Sequence, residues 1–479
     1  MELLIIFLSI LAAATTCLLA KSRGVIECVS VTASFIALVG SVLIALKVSK
    51  FGVYAPYEFF SVNALGSIVV CIIGLVGFAA VTYAVGYLRE ETAKEIIGFT
   101  RVKQFFVLLN LFLATMLLAV TASNPIFTWI AIEATTLSTA FLISFYNKPS
   151  AMEAAWKYLI VNSVGLLLGF FGTLLYFTSL QGTGEVGFMT WDNLLSGATH
   201  LDPMIAKIAF VFVLIGYGTK VGLAPMHTWL PDAHSKAPAP ISALLSGVLL
   251  NVAFVTVLRF KGITDVSVGP EFAQKLFIVF GLLSLFVATL IIFTQKSYKR
   301  LLAYSSIENM GIMTIGFGFG GLGVFAAILH MIYHSLFKSI LFFSAGNTFL
   351  RYSSTKIATV RGIISALPVT GVIFLAATLA ITGTPPFGIF LTKMFILSAG
   401  MKTYPIVAIA AIFLMALLFV GFFKHITTII FGEKPDEIAI GEKNMWLVIP
   451  PLALIIIALC LSFYIPPFLN NLIVMASHS

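Results

Sequence analysis

Apolar residues fill this chain in long runs separated by short stretches of charge or of Pro and Gly. A helix needs about 20 apolar residues to cross the hydrocarbon core of a bilayer, and the runs have that length. The pattern predicts spans at 3–20, 25–46, 62–88, 104–122, 124–146, 151–180, 204–224, 240–260, 272–294, 303–319, 322–350, 363–383, 405–431 and 446–468. Two are interrupted by proline: the span at 204–224 resumes at 226–234, and that at 363–383 resumes at 387–400. The first span is preceded only by Met1-Glu2, with no basic residue, so it reads as a helix rather than a cleaved leader. The expected fold is an all-α polytopic membrane protein of about 14 transmembrane helices, two of them broken.

Composition narrows the function. Of 479 residues, 60% are hydrophobic and 10% charged, against about 25% charged in a soluble domain. That excludes a cytosolic enzyme, a disordered scaffold and a nucleic-acid module; no nucleic-acid partner is expected, since no basic stripe with interleaved aromatics exists. The four cysteines (Cys17, Cys28, Cys71, Cys460) are scattered without a C-x-x-C pair, which argues against an iron–sulfur or structural zinc site on this chain. The net charge of +9 reads as the excess of Lys and Arg in cytoplasmic loops. Alternate loops carry seventeen Lys and Arg on one side and six on the other. This predicts a cell-membrane protein with both termini on the outer face. The loop 181–203, without Lys or Arg, falls on that outer side.

Five lysines (Lys157, Lys207, Lys220, Lys338, Lys393) and two acids (Glu133, Glu308) fall inside apolar spans. Each charge at mid-helix costs about 2.5–3.5 kcal/mol on insertion scales, so such residues are functional-site candidates by default. Glu133 lies near the middle of its span and reads as a proton-relay group, with an ion pair of packing or a protonated acid as the alternatives. Lys220 precedes the break at Pro225, and Lys393 follows that at Pro385 and Pro386. An unwound helix is tolerated in a membrane where it lines a watery cavity, and Pro-interrupted spans in each half point to inverted repeats. Burial disfavours the charged form of an ammonium and a nearby carboxylate favours it, so moving the carboxylate makes such a lysine release its proton.

The order Glu133, Lys157, Lys220 in the first half matches Glu308, Lys338, Lys393 in the second, with outer spacings of 87 and 85 residues. His330, His334 and Lys338 share a helix face at i, i+4 and i+8; they read as a relay, with polar packing or a zinc pair as alternatives. His227 and His234 flank the first break and extend the relay. Lys157 has Glu153 at i−4 and reads equally as a carrier or a snorkelling side chain, and Lys207, near a span end, as snorkelling. GFGFGGLG at 316–323 reads as a tightly packed loop, since no strand precedes it.

KVGLAPMHTWLPDAHSKAPAPISALLSGVLL, KRLLAYSSIENMG, HMIYHSLFKSILFFSAGN and GTPPFGIFLTKM resemble the antiporter-like subunits of respiratory complex I, of Mrp antiporters and of group 4 membrane-bound hydrogenases. WIAIEATTLSTAFLISFYNKPSAMEAAWKYL and SSIENMG look most like component F of hydrogenase-4 and formate hydrogenlyase-type complexes. The resemblance implies fourteen helices with two inverted five-helix repeats. The corresponding units here are an N-terminal segment 1–103, repeats at 104–260 and 272–431, and a C-terminal helix within 446–479. It implies Glu133 paired with Lys220, and a polar axis through His330, His334 and Lys338 ending at Lys393. It also implies partner subunits that carry iron–sulfur clusters or a NiFe centre, with no cofactor or metal on this chain. In many relatives a lysine or histidine follows SGVLL; here Asn251 stands there and can relay only as a hydrogen-bonder. Glu308 is a second departure, since complex I relatives usually lack an acid there.

The expected function is therefore proton translocation (with Na⁺ as the other candidate ion) by a membrane subunit of a redox complex. The alternative is a stand-alone Mrp-like cation/proton antiporter. A quinone-reactive subunit is the third reading, which the scattered aromatics do little to support.

Overall fold

The computed structural model describes residues 1–180, 189–442 and 444–478. Long apolar runs without hydration must satisfy their own backbone, so they form helices. These are α1 (Glu2–Leu19), α2 (Arg23–Phe51), α3 (Ala64–Ala93), α4 (Phe99–Thr121), α5 (Pro125–Ile143) and α6 (Pro149–Leu180). There follow α7 (Trp191–Ser196), α8 (Pro203–Val221), α9 (Trp229–Lys236), α10 (Ala239–Leu244), α11 (Leu250–Val268), α12 (Pro270–Ile292), α13 (Tyr298–Phe319) and α14 (Leu322–Tyr352). The chain continues through α15 (Ile363–Ala366), α16 (Pro368–Thr382), α17 (Gly388–Thr403), α18 (Pro405–Phe431), α19 (Ile449–Phe463) and α20 (Pro467–His478). A small antiparallel hairpin, β1 (Tyr54–Tyr57) and β2 (Phe60–Val62), follows α2, with Tyr54 opposite Val62. Among the described residues, twelve helical stretches are long and apolar enough to cross a membrane, with α8 through α9 as one of them; α16 is a shorter apolar helix.

The structure corrects several predicted boundaries. Span 446–468 ends earlier, at Phe463. Pro466 and Pro467 supply no N–H to continue a helix, and α20 starts afresh and packs against α2, α3 and α14. Span 363–383 begins as the four-residue α15 and restarts at Pro368 for the same reason. Span 240–260 runs on to Val268 and contains a π-helical turn at Leu245–Leu249, just before Asn251. Within the loop 181–203, residues 181–188 lie outside the described residues, and the rest holds the short α7. The Gly-rich stretch 316–323 closes α13 and opens α14, and an added Cβ at Gly316 would meet Ala327 at 3.0 Å, as a tightly packed turn requires.

α3, α13 and α14 are largely buried, whereas α1, α6 and α18 turn much of their surface outward. α13 holds Lys299, Arg300 and Glu308, charges that an outer, lipid-facing helix would not tolerate. It is wrapped by α9, α12, α14 and α17. Met1's ammonium donates to Tyr54 Oη at 3.3 Å, and an added Cβ at Gly52 would meet Met475 of α20. Both termini therefore lie at the hairpin end of the bundle.

Candidate functional site

Both broken helices stop in the same way. α8 ends at Gly222 (φ 82°) and α16 at Gly383 (φ 89°), left-handed positions that suit glycine. Prolines follow within three residues, and each chain then restarts as a helix, at α9 and α17. The first break is tied down by Ala224 N–H donating to Ser284 Oγ at 2.9 Å and Trp229 Nε1–H donating to the Thr219 carbonyl at 2.9 Å.

Lys220 occupies the last turn of α8 and is fully buried. Its ammonium donates to Thr136 Oγ1 at 2.8 Å and to Tyr158 Oη at 2.7 Å. Tyr158 Oη in turn lies 2.6 Å from Thr139 Oγ1. Glu133, half-buried on α5, accepts from Ser163 Oγ at 2.7 Å and from Thr136 Oγ1 at 3.4 Å. The expected Glu133–Lys220 pair is thus indirect, with the Thr136 hydroxyl standing between them. The reason is helical spacing: Thr136 lies about one turn along α5 from Glu133, where the Lys220 ammonium reaches it.

The second half is closed more tightly. Lys393 Nζ and Glu308 Oε1 form a direct ion pair at 2.8 Å, with side chains 5% and 1% exposed. The same ammonium donates to the carbonyls of Ile381 (3.3 Å) and Thr382 (3.5 Å), at the negative end of α16. Glu308 Oε2 accepts from Asn309 Nδ2, whose other donation goes to the Ser305 carbonyl. Asn309 Oδ1 must then be the acceptor toward His330 Nε2 at 2.9 Å, so His330 carries a proton on Nε2, while its Nδ1 lies 2.8 Å from Thr392 Oγ1. Thr392 precedes Lys393, which closes a ring of hydrogen-bonding groups. With both nitrogens engaged, His330 offers none to the zinc-pair alternative.

Between the halves lie His334, Lys338, Asn251 and His234, all 0% exposed. Lys338 donates to the Leu302 carbonyl at 2.9 Å and to Ser305 Oγ. Asn251 Nδ2 donates to Ser335 Oγ at 2.7 Å and acts here as a hydrogen-bonder. Ser246 and Ser306 hydroxyls meet at 2.7 Å beside it. Both ring nitrogens of His334 and of His234, and Oδ1 of Asn251, have no hydrogen-bond partner among the described residues. Buried polar atoms of this kind are normally satisfied by ordered water. His227 sits in the turn Met226–Thr228 after the first break, with its ring 6.4 Å from that of Tyr304.

Two lysines take other places. Lys157 is half exposed and pairs with Glu153 (2.6 Å) and Asp232 (3.6 Å); Asp232 is also bound by Arg300. The structure does not bring it together with the buried set. Lys207 is partly buried with its ammonium 5.9 Å from the Phe272 ring centre, a stem-buried side chain as expected. Sequence reasoning missed Thr136, Thr139, Tyr158, Ser163, Asn309 and Thr392. Hydroxyl and amide groups carry no charge penalty, so nothing marks them against the background of an apolar span.

Comparison with known proteins identifies the family and the fold. The family described as NADH:quinone oxidoreductase/Mrp antiporter, transmembrane, matches residues 122–419. A hydrogenase-4 component F homolog from Methylacidiphilum infernorum is 37% identical over 443 residues, covering 91% of this chain and 90% of the relative. NADH-quinone oxidoreductase subunit L from Mycobacterium tuberculosis is 31% identical over 71% of this chain, which spans 51% of that relative's length. In fold, a chain of the Mrp complex from a Dietzia species superposes with a TM-score of 0.87 at 20% identity, covering 99% of this chain and 96% of that one. A chain of an archaeal membrane-bound sulfane sulfur reductase gives 0.86 at 20% identity, covering 100% and 96%. A family match over more than half of the sequence, together with a relative aligned along nine-tenths of both chains, establishes that this chain belongs to the NADH:quinone oxidoreductase/Mrp antiporter family.

Proposed function

We propose that the chain is a proton-translocating, antiporter-like membrane subunit of a redox complex of the hydrogenase-4/formate hydrogenlyase or NADH:quinone oxidoreductase type. The observation that carries this reading is the placement of Lys220 and Lys393. Each is buried beside a helix break, and each is linked to a carboxylate, one through Thr136 and one directly. Such groups hold a proton when the carboxylate is close and release it when the carboxylate withdraws. The path runs from Glu133 and Lys220 past the buried polar groups of His234, Asn251, Lys338 and His334 to His330 and the Lys393–Glu308 pair, with His227 beside the first break. Lys157, paired with exposed Glu153 and partly buried Asp232, serves as an anchor at the helix ends.

A hundredfold change in proton affinity is worth about 2.7 kcal/mol. That exceeds the about 2.3 kcal/mol needed to move one charge across 100 mV, so one gate opening drives one proton. The energy comes from partner subunits whose iron–sulfur or NiFe centres carry the electrons. Residues 104–260 and 272–431 act as two repeats, each supplying a gate. The chain lies in the cell membrane with both termini outside, as the seventeen-to-six distribution of Lys and Arg supports.

The test is to isolate the tagged chain from its own membranes, identify the subunits that accompany it, and measure redox-driven proton uptake in vesicles of the Lys220→Ala variant. Accompanying redox subunits and loss of uptake with assembly intact are expected. Full uptake by the variant overturns the relay. A purified single chain that exchanges Na⁺ for H⁺ in liposomes would instead favour the stand-alone antiporter.

A further inference from the structure

One cation inside the bundle belongs to neither lysine site. Arg259, which the apolar pattern puts at the end of the span 240–260, lies midway along α11, roughly two turns or about 12 Å beyond Asn251. Its Nη2 donates to the Val120 carbonyl at 2.7 Å, in the last turn of α4. Its Nη1 is buried without a hydrogen-bond partner among the described residues. The guanidinium stands over the Trp191 ring, 5.2 Å from its centre. Trp191 is itself 8% exposed, with its Nε1–H buried and unpartnered among the described residues. A carbonyl dipole and a ring do not cancel the charge. The next cation on α11, Lys261, is by contrast paired with Asp265. The acid beside Trp191, Asp192, is exposed, where water and salt screen it. An arginine stays protonated at physiological pH, so Arg259 is a fixed positive charge.

The chain is stitched together around this charge. Trp191 N–H donates to the Ser123 carbonyl at 2.9 Å, Asn124 Nδ2 to the Met189 carbonyl at 2.6 Å, and Ser123 Oγ to the Glu58 carbonyl at 2.6 Å. These bonds join the start of α7, the turn between α4 and α5, and the β hairpin into one layer at the hairpin end of the bundle. Phe260, next to Arg259 on α11, meets Trp191 edge-on at 4.9 Å and stacks on Tyr217 at 6.1 Å. Tyr217 lies one turn before Lys220 on α8. The layer therefore closes the hairpin end of the same half that holds Lys220 and Asn251.

We propose that Arg259, held against Trp191, is an electrostatic seal that keeps protons of the polar axis from leaking to the hairpin face through the first half. The inference rests on the proposed relay, because a seal is needed only where an axis conducts. It goes beyond the relay in naming a residue whose task is to carry no proton. A fixed cation in a poorly hydrated passage repels a second positive charge, and an arginine in a narrow passage is one way pores exclude protons and cations. Nη1–H and Nε1–H donate only, so a water that satisfies either spends a lone pair on it and accepts a proton less readily. Anchoring the end of α4 needs a single donor. The unneutralised charge and the unpartnered Nη1 are costs that packing alone leaves unexplained.

The test uses the assembled complex in sealed vesicles without electron donor, and reads the decay of an imposed pH gradient. Arg259→Met should speed the decay about tenfold or more, while Arg259→Lys, which keeps the charge, should stay within about twofold of the unsubstituted chain. A trapped anionic dye should remain inside with either variant. Unchanged decay with Arg259→Met, an equal rise with Arg259→Lys, or loss of the dye overturns the seal. If Arg259→Met fails to assemble, Gly66 decides. An added Cβ there would lie 3.5 Å from Arg259 Nη2, in the first turn of α3, where the helix dipole suits an acid. Gly66→Asp should neutralise the guanidinium and speed the decay, and Gly66→Asn, of the same shape, should not. Asn63 Oδ1, 3.1 Å from the same Cβ, yields slightly in both variants alike. Equal decay in the two overturns the seal. Lys220→Ala run in parallel with donor separates the two claims: its loss of redox-driven uptake beside a tight Arg259→Met rejects the seal alone, whereas its normal uptake rejects the relay.

Discussion

At the scale of single residues, the two buried lysines, Lys220 and Lys393, differ in how their carboxylate is reached. In the first, a hydroxyl intervenes; in the second, the ion pair is direct. Replacing Thr136 by Val keeps the shape and removes the hydroxyl, which is worth about 1 kcal/mol as a net hydrogen bond. Thr136→Val should therefore slow proton uptake about fivefold, and Thr136→Ser should recover it; uptake rates in vesicles decide, and equal rates for Val and wild type reject the bridging role. Glu308→Ala strands a charge next to apolar walls, at a cost of about 3–5 kcal/mol. Its melting temperature in detergent should fall clearly, and adding Lys393→Met to it should restore part of the loss. An unchanged melting temperature for Glu308→Ala would show that the pair contributes little. The charges of Glu133, Lys220, Glu308 and Lys393 were legible in the sequence, because a charge in an apolar run stands out. The bridging hydroxyl of Thr136, the anchoring phenol of Tyr158 and the amide of Asn309 were not, because Thr, Tyr and Asn are ordinary residues in a membrane helix and only their neighbours in space reveal the role.

Among the elements, the two broken helices do most to place the chemistry. Gly222 is held at φ 82°, and an added Cβ would come 2.6 Å from Leu230 Cδ1. A left-handed non-glycine residue costs about 1–2 kcal/mol. Gly222→Ala should accordingly displace the end of α8 that carries Lys220, lowering the protons moved per electron while leaving the complex assembled. Native gel electrophoresis and vesicle uptake check the two halves of that expectation; unaltered coupling would mean that the break tolerates ordinary backbone. Both breaks were legible from their prolines. The β hairpin after α2, the restart at Pro368 and the separate α20 were less so. Each depends on a turn residue whose effect is local, while span prediction averages over about 20 residues. The place of Arg259 inside α11 was hidden for a related reason: charges at the ends of apolar runs look like loop residues until neighbouring helices close over them.

The whole molecule is a bundle in which α13, which carries Lys299, Arg300 and Glu308, is almost wholly enclosed, so that its Glu308, Asn309 and Lys299 face other helices and not lipid. This arrangement puts ionisable groups from one end of the bundle to the other while the outer helices remain apolar. The fold class followed directly from the length of the apolar runs. Both termini lie at one end of the bundle, and short epitope tags placed there should both be reached by antibody from outside intact cells. Access to either tag only after permeabilisation would reverse the assigned sidedness. The claim that the buried lysines carry protons is tested most directly by the number of protons taken up per electron pair in vesicles of the assembled complex, compared among wild type, Lys220→Ala and Lys393→Ala. The account predicts that each variant keeps electron transfer and assembly but takes up fewer protons per electron pair; an unchanged ratio in both variants would contradict it.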